Sequence, residues 1–311
     1  MLVSIVVPCY NEEKMLHLFY KELCSIIGPI SGYQFELLFV NDGSKDSTLE
    51  IVRSLSAKDN RVKYISFSRN FGKESAIYAG LSLARGDFVT IMDADLQDPP
   101  ALLPEMLRHI EAGYDSVATR RVTRKGEPLF RSFFARQFYK AINRMSRIDI
   151  VDGARDYRMI SRQMVDAILS MREYHRFSKG IFGWIGFKTK WIDYENIERV
   201  AGESSWSFWN LFAYAIDGII AFTTTPLRIA SYSGMTLSLM AFIYFLYVVL
   251  RTLVFGVDLP GYASTVALIL FMGGIQLLSI GILGEYMART YMEVKHRPVF
   301  IIQESNINVA K

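Results

Sequence analysis

The sequence predicts an α/β fold with a mostly parallel sheet, followed by a membrane-associated C-terminal part. Three observations carry this. Short β-rich runs alternate with helical patterns in the N-terminal part, the signature of βαβ units. Acidic turns follow several of those runs. Two long uncharged stretches lie near the C-terminus, and they account for a mean hydropathy of +0.18 in a 311-residue chain with 21% charged residues. This composition excludes a disordered chain, a collagen-like chain and a disulfide scaffold.

The β-rich runs are residues 2–8, 35–40, 62–67 and 88–92, and the helical patterns between them span about 13–27, 47–58 and 74–84. The opening MLVSIVVPCYNEE reads as a strand and a turn, with no basic leader, so it is not expected to be a signal peptide. In a parallel sheet ligands gather at the carboxyl ends of the strands. Tyr10-Asn11-Glu12, Asn41-Asp42-Gly43-Ser44 and Asp93-Ala94-Asp95 all sit at such ends. After residues 114–119 comes a basic stretch containing Arg120, Arg121, Arg124, Lys125, Arg131 and Arg136, with a helix expected at 133–146. A solvated face and an anion clamp both explain that stretch.

From residue 205 the character changes. In WSFWNLFAYAIDGIIAF a narrow polar stripe of Ser207, Asn210 and Asp217 interrupts a broad apolar face, as in a helix lying in a membrane interface. Residues 229–250 and 259–284 are uncharged, each long enough to cross a bilayer. The short link RTLVFGVDLPGY makes them a hairpin, and Lys and Arg flank its two ends, placing both termini in the cytoplasm. Gln276, polar within the second span, is expected to face another helix, and a homo-oligomer through these helices is compatible with that. The expected organisation is a cytoplasmic catalytic domain over 1–204, an interfacial helix over 205–226, two spans at about 229–250 and 262–284 within 227–288, and a cytoplasmic tail over 289–311. The protein is thus expected to be a multi-pass cell-membrane protein.

The net charge of +4 does not point to nucleic acid, and none is expected as a partner. Cys9 and Cys24 lack metal-ligand spacing, and the four histidines are scattered. The absence of G-x-G-x-x-G after the first strand argues against a nicotinamide dehydrogenase.

The strongest chemical motif is Asp93-Ala94-Asp95-Leu96-Gln97-Asp98-Pro99-Pro100. Two carboxylates one residue apart at a strand end can hold Mg²⁺ or Mn²⁺ against a diphosphate. Such an ion neutralises charge developing on a leaving nucleoside diphosphate.

Together with Val7-Pro8-Cys9-Tyr10-Asn11-Glu12, Val40–Thr48 (VNDGSKDST) and Asn70-Phe71-Gly72-Lys73, this motif resembles the family 2 inverting glycosyltransferases of GT-A fold. The polyisoprenyl-phosphate branch, with dolichol-phosphate mannose synthase and the bactoprenol glucosyltransferases, is the closer resemblance. DGARDYR at 152–158, RVAGESSW at 199–206 and the two-span tail ending Gly284-Glu285-Tyr286 fit that branch. The resemblance implies that Pro8, Tyr10, Glu12, Asp42 and Lys73 bind the nucleotide sugar. It places Asp93 near the ribose and diphosphate, and Asp95 on the metal with Gln97. Asp93, Asp95 and Asp156 are the expected catalytic residues. For Asp42, turn capping explains the residue equally well. The implied donor is UDP-glucose, the implied acceptor a polyprenyl phosphate such as undecaprenyl phosphate, and the implied cofactor Mg²⁺ or Mn²⁺.

A processive polysaccharide synthase of the superfamily carries a Gln-x-x-Arg-Trp motif, whereas none of Trp184, Trp191, Trp206 or Trp209 follows an Arg. The membrane segments suggest an acceptor that resides in the bilayer. A phosphate acceptor is already anionic at neutral pH, its second pKa being about 6. It needs placement and charge screening, which Arg124, Lys125 and Arg131 are expected to supply. Asp156 has two readings: an orienting group or weak base for the acceptor, or a salt-bridge partner of Arg155 or Arg158. In the dolichol-phosphate branch a glycine tends to stand there, which sets the residue apart from a universal catalytic role. The alternatives to polyprenyl-phosphate transfer are a glycolipid synthase with a hydroxyl acceptor, which needs a strong base, and a non-catalytic membrane scaffold.

Overall fold

The computed structural model describes residues 1–122, 151, 153–195, 218–256 and 261–307. The chain falls into two units, Met1–Ala221 with Arg297–Lys311, and Phe222–His296.

The first unit is an eight-stranded mixed sheet. Its strands are β1 (Leu2–Cys9), β2 (Gln34–Asn41), β3 (Val62–Phe67), β4 (Phe88–Ile91), β5 (Ser116–Arg121), β6 (Ala154–Ser161), β7 (Thr189–Tyr194) and β8 (Ile302–Ser305), in the order β7-β5-β6-β4-β1-β2-β3-β8. β1 runs parallel to β2 and β4, β2 to β3, and β5 to β7. β6 is antiparallel to both β4 and β5, and β8 is antiparallel to β3. In β1, Val3, Ile5, Val6 and Val7 are wholly buried, as expected for a central strand covered on both faces.

The helices follow from the apolar periodicity. α1 (Leu16–Ile27) buries Leu16, Phe19, Leu23 and Ile27 on one stripe, and α2 (Thr48–Lys58) buries Thr48, Val52 and Leu55. α3 (Lys73–Leu83) presents Ala76, Ala79 and Gly80 to the opposite face of the sheet. A Cβ on Gly80 would lie 2.1 Å from Val6 Cγ1, so glycine lets α3 approach β1 closely. α4 (Leu103–Glu111), α5 (Arg162–Ser170) and α6 (Ser178–Trp184) complete the layers. α1 begins three residues later than its pattern suggests. Glu13 is taken up by the loop after β2, where its side chain accepts the Ser47 amide at 3.1 Å and its own amide donates to Asp46.

β8 is a departure from the expected tail. It pairs with the outer edge of β3, and Arg53 and Tyr64 (2.6 Å) both bond the Glu304 carboxylate. Asn306 Oδ1 accepts the Tyr64 amide at 2.7 Å, and its Nδ2 donates to Val62 O.

The second unit holds α7 (Thr225–Phe255) and α8 (Tyr262–Val294), both long and apolar enough to cross a membrane. Each extends beyond the uncharged run that marked it. The Tyr286 hydroxyl donates to Thr223 O at 2.7 Å. Gln276 is exposed on α8 rather than covered by α7. The helix expected at 133–146 lies outside the described residues, as does most of the interfacial helix expected at 205–226, of which 218–222 are described and helical.

Candidate active site

The carboxyl ends of β1, β2 and β4 and the start of β6 meet at one edge of the sheet. The turn after β1 is laced to the turn after β2: the Asn11 amide donates to Ser44 Oγ (3.0 Å), Asn11 Oδ1 accepts the Lys45 amide (2.9 Å), and the Glu12 amide donates to Thr48 Oγ1 (2.8 Å). Asn11 takes positive φ (55°), a conformation its short polar side chain tolerates. Tyr10 stands exposed at this edge and Pro8 is half-buried.

A third loop closes on these two. Gly43 has φ +63°, and a Cβ there would fall 2.4 Å from the Arg69 carbonyl carbon, so only glycine admits the 69–72 backbone. Asp42 fastens that loop. Its buried carboxylate accepts the Phe71 amide at 2.6 Å and the Gly72 amide at 2.9 Å. Burial pushes the Asp42 carboxyl up, against the pull of these two amides and of Arg69. Asp42 therefore caps the entry to α3 rather than its own turn.

α3 starts immediately after Gly72, and its first residue is Lys73. The Lys73 ammonium lies 2.7 Å from Asp93 and 2.7 Å from Asp156, joining the end of β4 to the start of β6. This settles which cation Asp156 meets: Lys73, not Arg155 or Arg158. Adjacent residues of a strand point to opposite faces. Arg155 thus reaches the other face, where its Nε bonds Asp98 Oδ1 at 3.0 Å. Arg158 shares the Asp156 face, but its guanidinium lies 3.6 Å over the Phe182 ring and donates to Arg155 O. Burial alone would raise the Asp156 carboxyl; the Lys73 and Lys179 ammoniums outweigh it and hold the group far below the usual carboxylate range.

Asp95 is buried at the strand end, and its Oδ1 accepts the Gln97 amide at 3.1 Å across Leu96, which has φ 57°. Gln97 Oε1 faces Arg155 Nη2 at 3.4 Å. Among the described residues no group of three or more His, Cys, Asp or Glu side chains converges on a point. Asp93, Asp95 and the Gln97 carbonyl are oxygen donors only, a set that fits a hard divalent cation completing its shell with diphosphate and water.

Two groups at this edge escaped the sequence reading. Asp98 is fully buried, bonded by Arg155 and by the Tyr194 hydroxyl at 2.6 Å, while its Oδ2 has no partner among the described residues. Glu74 accepts the Ser178 amide at 3.0 Å and the Ser178 hydroxyl, tying α3 to α6. Burial, and then the Asp156 carboxylate, push Glu74 up to about 7. The D-P-P run after Gln97 was a signal for Asp98; nothing local marked Glu74. Arg124, Lys125 and Arg131 lie outside the described residues.

Comparison of the sequence with known proteins identifies a family. The Glycosyl transferase family 2 model covers residues 4–169, and the GtrB C-terminal hairpin model covers 225–290. The chain is 46% identical to the putative glycosyltransferase CsbB of Bacillus subtilis, over 98% of this chain and 92% of that protein. It is 42% identical to the prophage bactoprenol glucosyl transferase homolog of Escherichia coli, over 97% and 99%. It is also 42% identical to the SfII prophage-derived bactoprenol glucosyl transferase of Shigella flexneri, over 98% and 99%. The α/β fold of GT-A type expected from the motifs is the one the sheet forms. On these matches and on the acidic strand edge that accompanies them, the chain belongs to glycosyl transferase family 2 and is a glycosyltransferase carrying the GtrB C-terminal hairpin.

Proposed function

We propose that this glycosyltransferase moves one glucose from UDP-glucose to a polyprenyl phosphate, with inversion, at the cytoplasmic face of the cell membrane. The names of the bactoprenol glucosyl transferase relatives support the donor sugar and the lipid. The observation that carries the choice of acceptor is the Lys73 bridge. A hydroxyl acceptor needs a base to take its proton. Asp156, the residue placed for that role, is held ionised by Lys73 and Lys179 and has little proton affinity. Glu74 binds protons more readily, but it is turned to Ser178. A phosphate oxygen, already anionic, suits such a site.

In this reading Tyr10, Glu12 and the loop capped by Asp42 receive the nucleoside, and Lys73 holds Asp93 and Asp156 at the sugar end. Asp156 remains a carboxylate throughout and stabilises positive charge developing at the anomeric carbon. Arg124, Lys125 and Arg131 hold the acceptor phosphate. Asp95, Asp93 and Gln97 would hold Mg²⁺ or Mn²⁺, which when bound would supply charge neutralisation for the diphosphate leaving group. Self-association through α7 and α8 is part of the proposal, since Gln276 lies exposed on an apolar helix.

The test is full-length protein in nanodiscs, given a panel of radiolabelled nucleotide sugars with either undecaprenyl phosphate or diacylglycerol, followed by lipid extraction. Label from UDP-glucose in an acid-labile lipid is the expected result. Label in an acid-stable diacylglycerol product would overturn the acceptor, and label from another nucleotide sugar would overturn the donor.

A further inference from the structure

The tail beyond α8 does more than close the sheet. Phe300 lies six residues after the end of α8, just before β8, in the α/β unit. Its ring stacks on Phe67 at the end of β3, with centroids 5.1 Å apart and planes at 17°. It also meets Tyr78 of α3 at 6.4 Å and 64°. Both neighbours lead to the candidate active site. Phe67 packs edge-on against Phe71 at 5.7 Å, and the Arg69 guanidinium covers Phe71 at 4.0 Å. Phe71 is the residue whose amide Asp42 holds, and Lys73 follows two positions later. On the other side, Tyr78 carries the Arg176 guanidinium 4.3 Å over its ring, in the segment that leads to Ser178 and α6.

We propose that Phe300 is a positioning residue for the nucleotide-sugar loop: its ring wedges between Phe67 and Tyr78 and holds residues 69–73 so that Lys73 spans Asp93 and Asp156. The physical basis is a short, continuous run of ring contacts between rigid elements, ending on the loop whose Phe71 and Gly72 amides bond Asp42. Offset and edge-on aromatic pairs have defined geometry, so a missing ring frees its neighbours to turn. Glu304, four residues on, anchors the same tail to Arg53 and Tyr64 without touching this run, and it serves as the internal control. The kinetic part rests on the donor-side reading of Asp42 and Lys73 given above.

The experiment compares full-length Phe300→Ala, Phe300→Tyr and Glu304→Gln in nanodiscs. Hydrogen exchange without substrate is read at residues 71–73, and steady-state kinetics are read for each substrate. Phe300→Ala is expected to speed exchange at these amides by about ten-fold and to raise the donor KM by about five-fold, leaving the acceptor KM unchanged. Phe300→Tyr should restore both. Glu304→Gln should lower the melting temperature with no change in exchange at 71–73. Should Phe300→Ala fail to accumulate, Phe300→Leu keeps the apolar volume without the flat ring and carries the same expectation. Unchanged exchange at 71–73 in Phe300→Ala or, where that fails to accumulate, in Phe300→Leu, or an equal rise in Glu304→Gln, would overturn the proposal. Faster exchange with an unchanged donor KM would uphold the mechanical link and strike the donor-side reading of the loop instead.

Discussion

Replacing Lys73 with Met removes the cation that joins Asp93 to Asp156 while keeping the length of the side chain. Breaking a buried ion pair costs about 3–5 kcal/mol and breaking an exposed one about 0–1 kcal/mol. Asp93 and Asp156 keep 22% and 19% of their side-chain surface, and Lys73 keeps 43%. Solvent therefore screens the ammonium, and the two pairs together fall between the limits, at about 2 kcal/mol. For a domain of this size that is a drop of about 6 °C in apparent melting temperature near neutral pH. The deficit has a pH signature. The folded carboxyl of Asp156 lies below its unfolded value near 4, so the Lys73 contribution is complete above about pH 4 and is lost as pH falls through the folded value. Lys179 stays beside Asp156 in the variant, so the gap should keep a similar size wherever Asp156 is ionised in the parent and close only below about pH 4. Thermal melts by tryptophan fluorescence in nanodiscs, with chelator, at about pH 7.5 and about pH 4.5 provide the assay. A gap present at one of these pH values and absent at the other would refute an ionised Asp156 held by Lys73, and no gap at either would show that the bridge contributes nothing.

Asp95→Ala should lower transfer by at least about 100-fold while the fold survives, and near-normal turnover in magnesium-containing buffer would remove Asp95 from the metal set. Arg124→Ala and Arg131→Ala should raise the apparent KM for the lipid acceptor more than that for the nucleotide sugar; movement of the donor value alone would reassign both residues to the diphosphate. Tyr194→Phe deletes the 2.6 Å bond to the buried Asp98 carboxylate and should cost about 2 kcal/mol, read as a lower melting temperature. An unchanged melting temperature would mean that Arg155 alone suffices for Asp98.

The alternation of β1 to β4 with their helices, and the acidic turns at the strand ends, were legible because local periodicity and turn chemistry report on them directly. The partner of Asp156 was not. Neighbouring arginines in the sequence suggested themselves, but pleating sends Arg155 to the opposite face, and the actual partner comes from a helix 83 residues away. β8 was hidden for a related reason. IQES has no strong strand pattern, and what makes it a strand is the open edge of β3 together with Arg53 and Tyr64, none of them nearby in sequence. Glu74 and Ser178 meet through the packing of α3 and α6, to which single-sequence spacing is blind.

The position of β8 also sets an order of assembly. A chain is made from its N-terminus, and its domains form as units while it emerges. Strands β1 to β7 are complete before α7 and α8 exist, yet β3 then presents a bare row of N–H and C=O groups, the kind of edge that templates wrong pairing. Among the described residues the strand that covers it is β8, made after both long helices. A chain interrupted before α8 carries a catalytic half with an unprotected edge, exposed to aggregation and proteolysis. A finished chain seals that edge with its own last strand. The covered edge of the α/β unit is thereby made conditional on synthesis of the residues that follow α8.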